Sequence, residues 1–422
     1  MIGFLLTFCL YVTIVFLTII PLFGISYTSS EESPIYLIAV IGSNLFSIGY
    51  IFWQELRNHK QGRGPVWPYF IPVAILFVYA SEMAFGDMGE TANKMVTAFC
   101  ASAASAIWIG VYCYRFDKFH LLAKNLEVLA LISTAGLIVS LPQMYSEGEY
   151  STIGGGGGHQ TISYVAAICC SIFLIGANLK KSESRFRYKI FSNEIYKKIA
   201  LLLAVVNIVI CIVGGGRGGA VLLIVNVVAT FFYLLRTSFW KTSAVAVLGC
   251  LLFYAVSSNI SVWGIDRMFA TGFERAFSFI APSGIDMSET SDRNIVYAVA
   301  VQLIEVAPFF GYGVFHQYDL CQQYMSQPYS HNLFYELLLQ GGILYLIFWL
   351  VICWKTMLRI HRLILRGSYY NYLIPIASYP FIMLMFSGTY LVSSVFWFSV
   401  VFAYGAYGKR ADKHTANMLR KD

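Results

Sequence analysis

Three short stretches of this sequence hold residue types suited to anion handling and proton transfer. The first is "VGGGRGGAV", residues 213–221, in which Arg217 sits among glycines between two apolar segments. Glycine backbone beside a guanidinium offers successive N–H groups that receive an anion. The plainer alternative is an arginine snorkelling out of a tight turn, since facing lipid would be costly. The second stretch is "DRNIVYAVAVQLIEVAPFFGYGV", residues 292–314. Arg293 there, next to Asp292, is either one half of a surface ion pair, worth little, or a second anion contact. Arg267 and Arg275 are rivals for that second role. The third is "YSHNLFYELLLQGGILY", residues 329–345. His331 there either hydrogen-bonds headgroups and backbone or, as an imidazole neutral near pH 7, takes a proton from a hydroxyl nucleophile.

Other side chains are expected to shape such a site. If His331 caps a helix, positions 331, 335, 338, 342 and 345 share one stripe, because eleven residues make about three turns. That face carries His331, Tyr335, Leu338, Gly342 and Tyr345, with Asn332 at its start. Gly342 is then expected to let a neighbouring helix approach closely. His316 and Asp319 follow the "GYG" turn and are placed to line a glycan groove. Glu82 and Asn207 lie inside apolar stretches, where packing against other helices is the expected role. The sequence contains no DxD pair, no HExxH, no P-loop and no Cys/His cluster, so neither a metal nor a cofactor is expected.

The elements that position these residues are set by composition. Of 422 residues, 58% are hydrophobic and 12% charged, with 33 Phe, 29 Tyr and 8 Trp. Uncharged runs of about 20 residues recur from end to end, the mark of membrane-spanning helices. Breaks at charged and turn-forming residues give about twelve spans, at 3–23, 35–54, 66–85, 95–114, 126–143, 161–179, 199–213, 220–235, 242–262, 332–353, 369–390 and 392–407. The fold class is therefore an all-α polytopic membrane protein.

Lysine and arginine fix the expected orientation. With a cytoplasmic N-terminus, 24 of the 29 basic residues fall in alternate gaps and the C-terminal tail. Only Lys94, Arg217, Arg267, Arg275 and Arg293 face outward. The net charge of +7 then reflects lipid headgroups and topology, with no nucleic-acid partner. The first apolar segment lacks a positive n-region and a cleavage site, so it is expected to be a retained span. Eight of the nine cysteines lie in or beside spans, without a disulfide framework.

Three regions follow: spans one to nine over 1–262, a large outward loop over 263–331, and spans ten to twelve with a basic cytoplasmic tail over 332–422. Gly154–Gly158, ahead of His159, reads as a flexible connector. The long loop has a helix of its own. Asp292 is a plausible N-cap, Ile295, Val299, Leu303 and Val306 recur at helical spacing, and Pro308, Gly311 and Gly313 end it in a turn. Such loops are usually functional.

About twelve spans, a large loop before the tenth, outward arginines and a His-Asn stretch together resemble the O-antigen ligase and polymerase family, membrane glycosyltransferases of the GT-C type. "GGGRGG" is similar to the family's Ser-Arg-Gly stretch, with glycine in place of serine. The Arg293 helix resembles the family's Arg-led helix ending in Pro-x-x-Gly-x-Gly. His331, Asn332, Gly342 and Tyr345 fit its motif of His, then Asn, Ser or Gln, nine residues, Gly, two residues, and Gly, Thr or Tyr.

The resemblance implies transfer at the periplasmic face of a bacterial inner membrane, from a glycan on undecaprenyl diphosphate. Arg217 and Arg293 match the arginines that hold the diphosphate, and His331 matches the histidine that activates the acceptor hydroxyl. Inversion without a metal is implied. Two arginines can supply positive charge where the leaving diphosphate develops negative charge. The acceptor is a sugar of lipid A–core for a ligase and another lipid-linked repeat unit for a polymerase. Both remain open. A twelve-span polysaccharide exporter or flippase is the alternative of another class. Against it stand the helical outer loop and the expected lack of charge inside the spans.

Overall fold

The computed structural model describes residues 2–23, 34–86, 88–146, 159–179, 187–234, 280–281, 284–285 and 293–418. The expected span 242–262, the glycine run 154–158, Arg267, Arg275 and Asp292 lie outside them. The other eleven expected spans fall on helices. These are α1 (Ile2–Ile19), α2 (Pro34–Asn58), α3 (Ile71–Phe85), α4 (Glu90–Ala98) continuing through a π-turn into α5 (Ala104–Arg115), α6 (Phe119–Ser146), α7 (His159–Asn178), α8 (Glu194–Val213) and α9 (Arg217–Leu234). After the long loop's helices α10 (Arg293–Val306) and α11 (His316–Met325) come α12 (Leu333–Ile364), α13 (Leu373–Phe386) and α14 (Ser394–Met418). Eight helical stretches among the described residues are long and apolar enough to cross a membrane. The chain is an all-α polytopic membrane protein.

The chain forms two compact units from interleaved stretches. One is drawn from 1–39, 120–285 and 364–383, the other from 40–119, 286–363 and 384–422. In the first unit, small polar side chains join the helices. Asn207 donates to Thr134 at 3.0 Å, Asn226 to the Ala167 carbonyl at 3.2 Å, and Ser171 and Thr230 meet at 3.2 Å. Asn207 thus has the packing role its sequence position suggested.

Charged side chains are buried in pairs at the ends of spans. Glu127, buried in α6, takes two hydrogen bonds from the equally buried Arg187 at 2.9 and 2.8 Å and a third from Tyr372. Burial opposes the Arg187 charge, but the bond to Glu127 and the attraction of the groups around it together outweigh burial and hold its pKa above the ordinary arginine value. The second unit contains a matching pair, Arg115 on Glu55 at 2.6 Å. Arg115 and Arg187 therefore each close a buried polar junction. Unpaired, such charges would not be tolerated in apolar surroundings.

Candidate active site

The second unit holds the His331 stretch. Asn332, one residue after the histidine, is the helix cap: its side-chain oxygen accepts the Phe334 N–H at 2.9 Å, and its carbonyl accepts from Glu336 at 3.0 Å. His331 therefore precedes α12 and does not cap it. It has a left-handed backbone, φ +55°, a conformation that non-glycine residues adopt at a cost and that gathers at functional sites. Its half-buried ring meets Tyr329 edge-on, centroids 4.7 Å apart. Buried Ser330 ties the turn down by donating to the Asn332 carbonyl at 3.1 Å.

The expected stripe from 331 to 345 does not form, because α12 breaks at Gly341 (φ −143°, ψ 20°) and Gly342 (φ 65°, ψ −161°). The turn after α10 fills the break. Tyr312 and Gly313 donate to the carbonyls of Leu339 and Gln340 at 2.7 and 2.9 Å, and Ile343 donates to Pro308 at 2.9 Å. These bonds replace the helical ones lost at the kink. A Cβ at Gly342 would strike the Phe309–Phe310 backbone. What the glycine admits is a turn, where sequence spacing had suggested a helix.

Between His331 and the kink lies a buried polar network that sequence reasoning missed. Glu336 accepts from Tyr318 at 2.8 Å and from Thr389. Gln340 donates to Tyr318 at 3.3 Å and accepts from Tyr390 at 2.8 Å, and Tyr390 meets Tyr345 at 2.8 Å. These bonds lock the first two turns of α12 to α11 and to the 387–393 connection. A carboxyl inside an apolar run was the available signal; its partners, about 50 residues away for Thr389, carried none.

Two carboxylates brace the loop from below. Glu82 in α3 accepts the N–H groups of Val314, Phe315 and His316 at 2.6, 2.9 and 3.1 Å, capping α11. Asp319 of α11 accepts those of Gly89 and Ala92 at 2.8 and 3.1 Å, capping α4. Asp319, expected in a glycan groove, directs both carboxylate oxygens to backbone, and His316 stands at the first residue of a capped helix. An acidic group at a helix N-terminus also complements the helix dipole.

Helix α10 packs on α11 and α12 through Val296 and Ala300, with Tyr297, Val299 and Leu303 around them. Tyr335 joins this cluster, its ring 5.2 Å from Tyr297. The buried face is offset from the expected one: Val299 and Leu303 pack, but Ile295 and Val306 are 60% and 78% exposed. Arg293 is the first residue of α10, and its side chain lies outside the described part.

Arg217 belongs to the first unit. It opens α9 immediately after a turn made by Gly214 and Gly215, the latter at φ 66°. Gly216 donates to Ser163 on α7 at 2.9 Å, and Ser163 donates to the Cys211 carbonyl at 3.0 Å. A Cβ at Gly216 or Gly219 would strike Ser163. The glycines thus bring the turn against α7, and the half-buried Arg217 starts a helix whose first-turn N–H groups lack intrahelical acceptors.

Residues 200–350 match the family model described as O-antigen ligase. That segment runs from within α8, through Arg217, Arg293 and His331, to the middle of α12. No curated protein matches the chain.

Proposed function

We propose that this membrane protein, whose residues 200–350 match the O-antigen ligase family model, moves a glycan from undecaprenyl diphosphate onto a sugar hydroxyl of lipid A–core. Transfer takes place at the periplasmic face of the bacterial inner membrane, with both termini cytoplasmic. His331 accepts the proton of the acceptor hydroxyl as its oxygen bonds to the anomeric carbon. The bond from that carbon to the diphosphate breaks on the opposite face, inverting the centre, and its electron pair leaves with the diphosphate. Arg217 and Arg293 hold the diphosphate and offset the charge it gains, so no metal is needed. A neutral imidazole suits this proton transfer near pH 7.

The observation that carries this reading is the family match, which spans all three residues. The backbone of His331 supports it: a left-handed histidine next to a helix cap, above a fully bonded polar network, is costly to keep without a use. Deleting the gene tests the acceptor. Loss of a ligase leaves long chains on undecaprenyl diphosphate; single repeats on lipid A–core would instead make the chain a polymerase. Arg217→Ala and Arg293→Ala should each weaken binding of the lipid-linked donor, and parental binding by both would remove the diphosphate clamp.

A further inference from the structure

The turn that plugs the α12 kink carries an apolar tip: Phe309 and Phe310 are 63% and 81% exposed. Two spans are bonded to this stretch, α12 through Pro308 and 67–85 through Glu82. Pro308 accepts from Ile343, and from Ile343 onward α12 turns an exposed apolar face outward with Leu344, Ile347, Phe348, Val351 and Trp354. On the other side of the kink, Glu336, Leu337, Leu339 and Gln340 are buried. From Ile343 to Trp354 the helix carries no charge, and Lys355 follows. The 32 residues of α12 are more than one bilayer requires, so its length alone does not set the depth of the kink.

The second span sets that depth. Glu82, which bonds Val314 and Phe315 just after the turn, lies one helical turn before Phe85, the 93% exposed end of the span 67–85. Those 19 residues cover roughly 30 Å, and Trp67 and Phe70 are exposed at the opposite end. Aromatic rings at both ends of an apolar span mark the two interfaces. The turn sits at the end away from the basic residues Arg57, Lys60 and Arg63 before α3, and Lys355, Arg359 and Arg362 in α12.

We propose that Phe309 and Phe310 form an interfacial wedge, inserted at the headgroup–acyl boundary of the bilayer, with membrane lipid as the partner. The wedge continues the lipid-facing side of α12 across the kink. Pro308 brings no N–H into the boundary, and the Gly311 N–H is already taken by Ala307 at 3.1 Å.

The test places p-benzoylphenylalanine at Phe310 in the full chain, reconstituted in phosphatidylethanolamine–phosphatidylglycerol vesicles with a trace of radiolabelled phosphatidylethanolamine. Phe348, on the exposed face of α12, is the lipid-facing reference; Phe334, exposed on the other side of the kink, is the reference outside the bilayer. Irradiation should label position 310 within about twofold of position 348 and at least fivefold above position 334. Labelling at the level of position 334, or an adduct to a second copy of the chain, overturns the wedge. Phe309 gives the same comparison if the first variant fails to fold. Because the readout needs no glycan transfer, it succeeds or fails separately from the proposed reaction.

Discussion

Ile343 donates its backbone N–H to the carbonyl of Pro308 across 2.9 Å, joining two stretches that lie 35 residues apart in the chain. With the bonds from Tyr312 and Gly313 to Leu339 and Gln340, it turns the Pro-x-x-Gly-x-Gly turn and the glycine pair of α12 into a single joint. The glycines at 311, 313 and 342 are each at positive φ, and each serves that joint.

Gly342→Ala should therefore destabilise the protein strongly. The backbone at φ 65°, ψ −161° is nearly closed to alanine, which costs about 1–3 kcal/mol before the collision with Phe309 is counted. Thermal unfolding in detergent should show a melting point several degrees lower. Gly42→Ala, whose Cβ meets nothing within 4 Å, should leave it unchanged or slightly higher.

The Glu82 and Asp319 caps give a prediction that separates scaffold from substrate contact. Glu82→Ala leaves three N–H groups without their carboxylate and should cost about 3 kcal/mol. Asp319→Ala should cost about 1–2 kcal/mol as a lost helix cap. Acceptor KM, measured below the melting point of the Asp319 variant, should equal the parent's. A raised KM would return Asp319 to the glycan.

Breaking the buried Glu127–Arg187 pair from one side strands a charge. Arg187→Met or Glu127→Gln alone should cost about 3–5 kcal/mol. The double variant should recover much of that loss, read as a coupling in thermal unfolding. Equal losses for single and double variants would make the pair a bystander.

Cys321 should resist alkylation. Burial, with Glu336 close by, pushes its thiol up to about 12, so between pH 7 and 9 the reactive thiolate is absent in the folded state. Maleimide at pH 8.5 should label it only after unfolding. The raised pKa also means that Cys321 favours the folded state below pH 8 to 9, and that this contribution declines as pH rises towards 12. Rapid native labelling would show that α11 opens.

Much of this architecture was legible in the sequence, because runs of apolar residues flanked by Lys and Arg leave few alternatives to a span. Pro308, Gly311 and Gly313 announced their turn in the same way. The buried face of α10 was not legible: Ile295, Val296, Val299, Ala300 and Leu303 are apolar around most of the helix, so periodicity could not choose between neighbouring stripes. Gly342 read as a thin spot on a continuous helix, since a φ of 65° leaves no mark on composition. Glu336 and Glu127 looked like isolated carboxyls in apolar stretches; their partners Thr389, Tyr318, Arg187 and Tyr372 come together only in the folded chain.

The proposed transfer depends on His331, and His331→Asn tests it most directly, because asparagine accepts the left-handed backbone but cannot act as a base at neutral pH. In proteoliposomes supplied with lipid-linked glycan and acceptor, the variant should keep the parent's melting point and donor binding. It should lose transfer by roughly 10²–10⁴-fold, the range for removing a general base. Transfer at the parental rate in a folded His331→Asn protein would contradict the assignment.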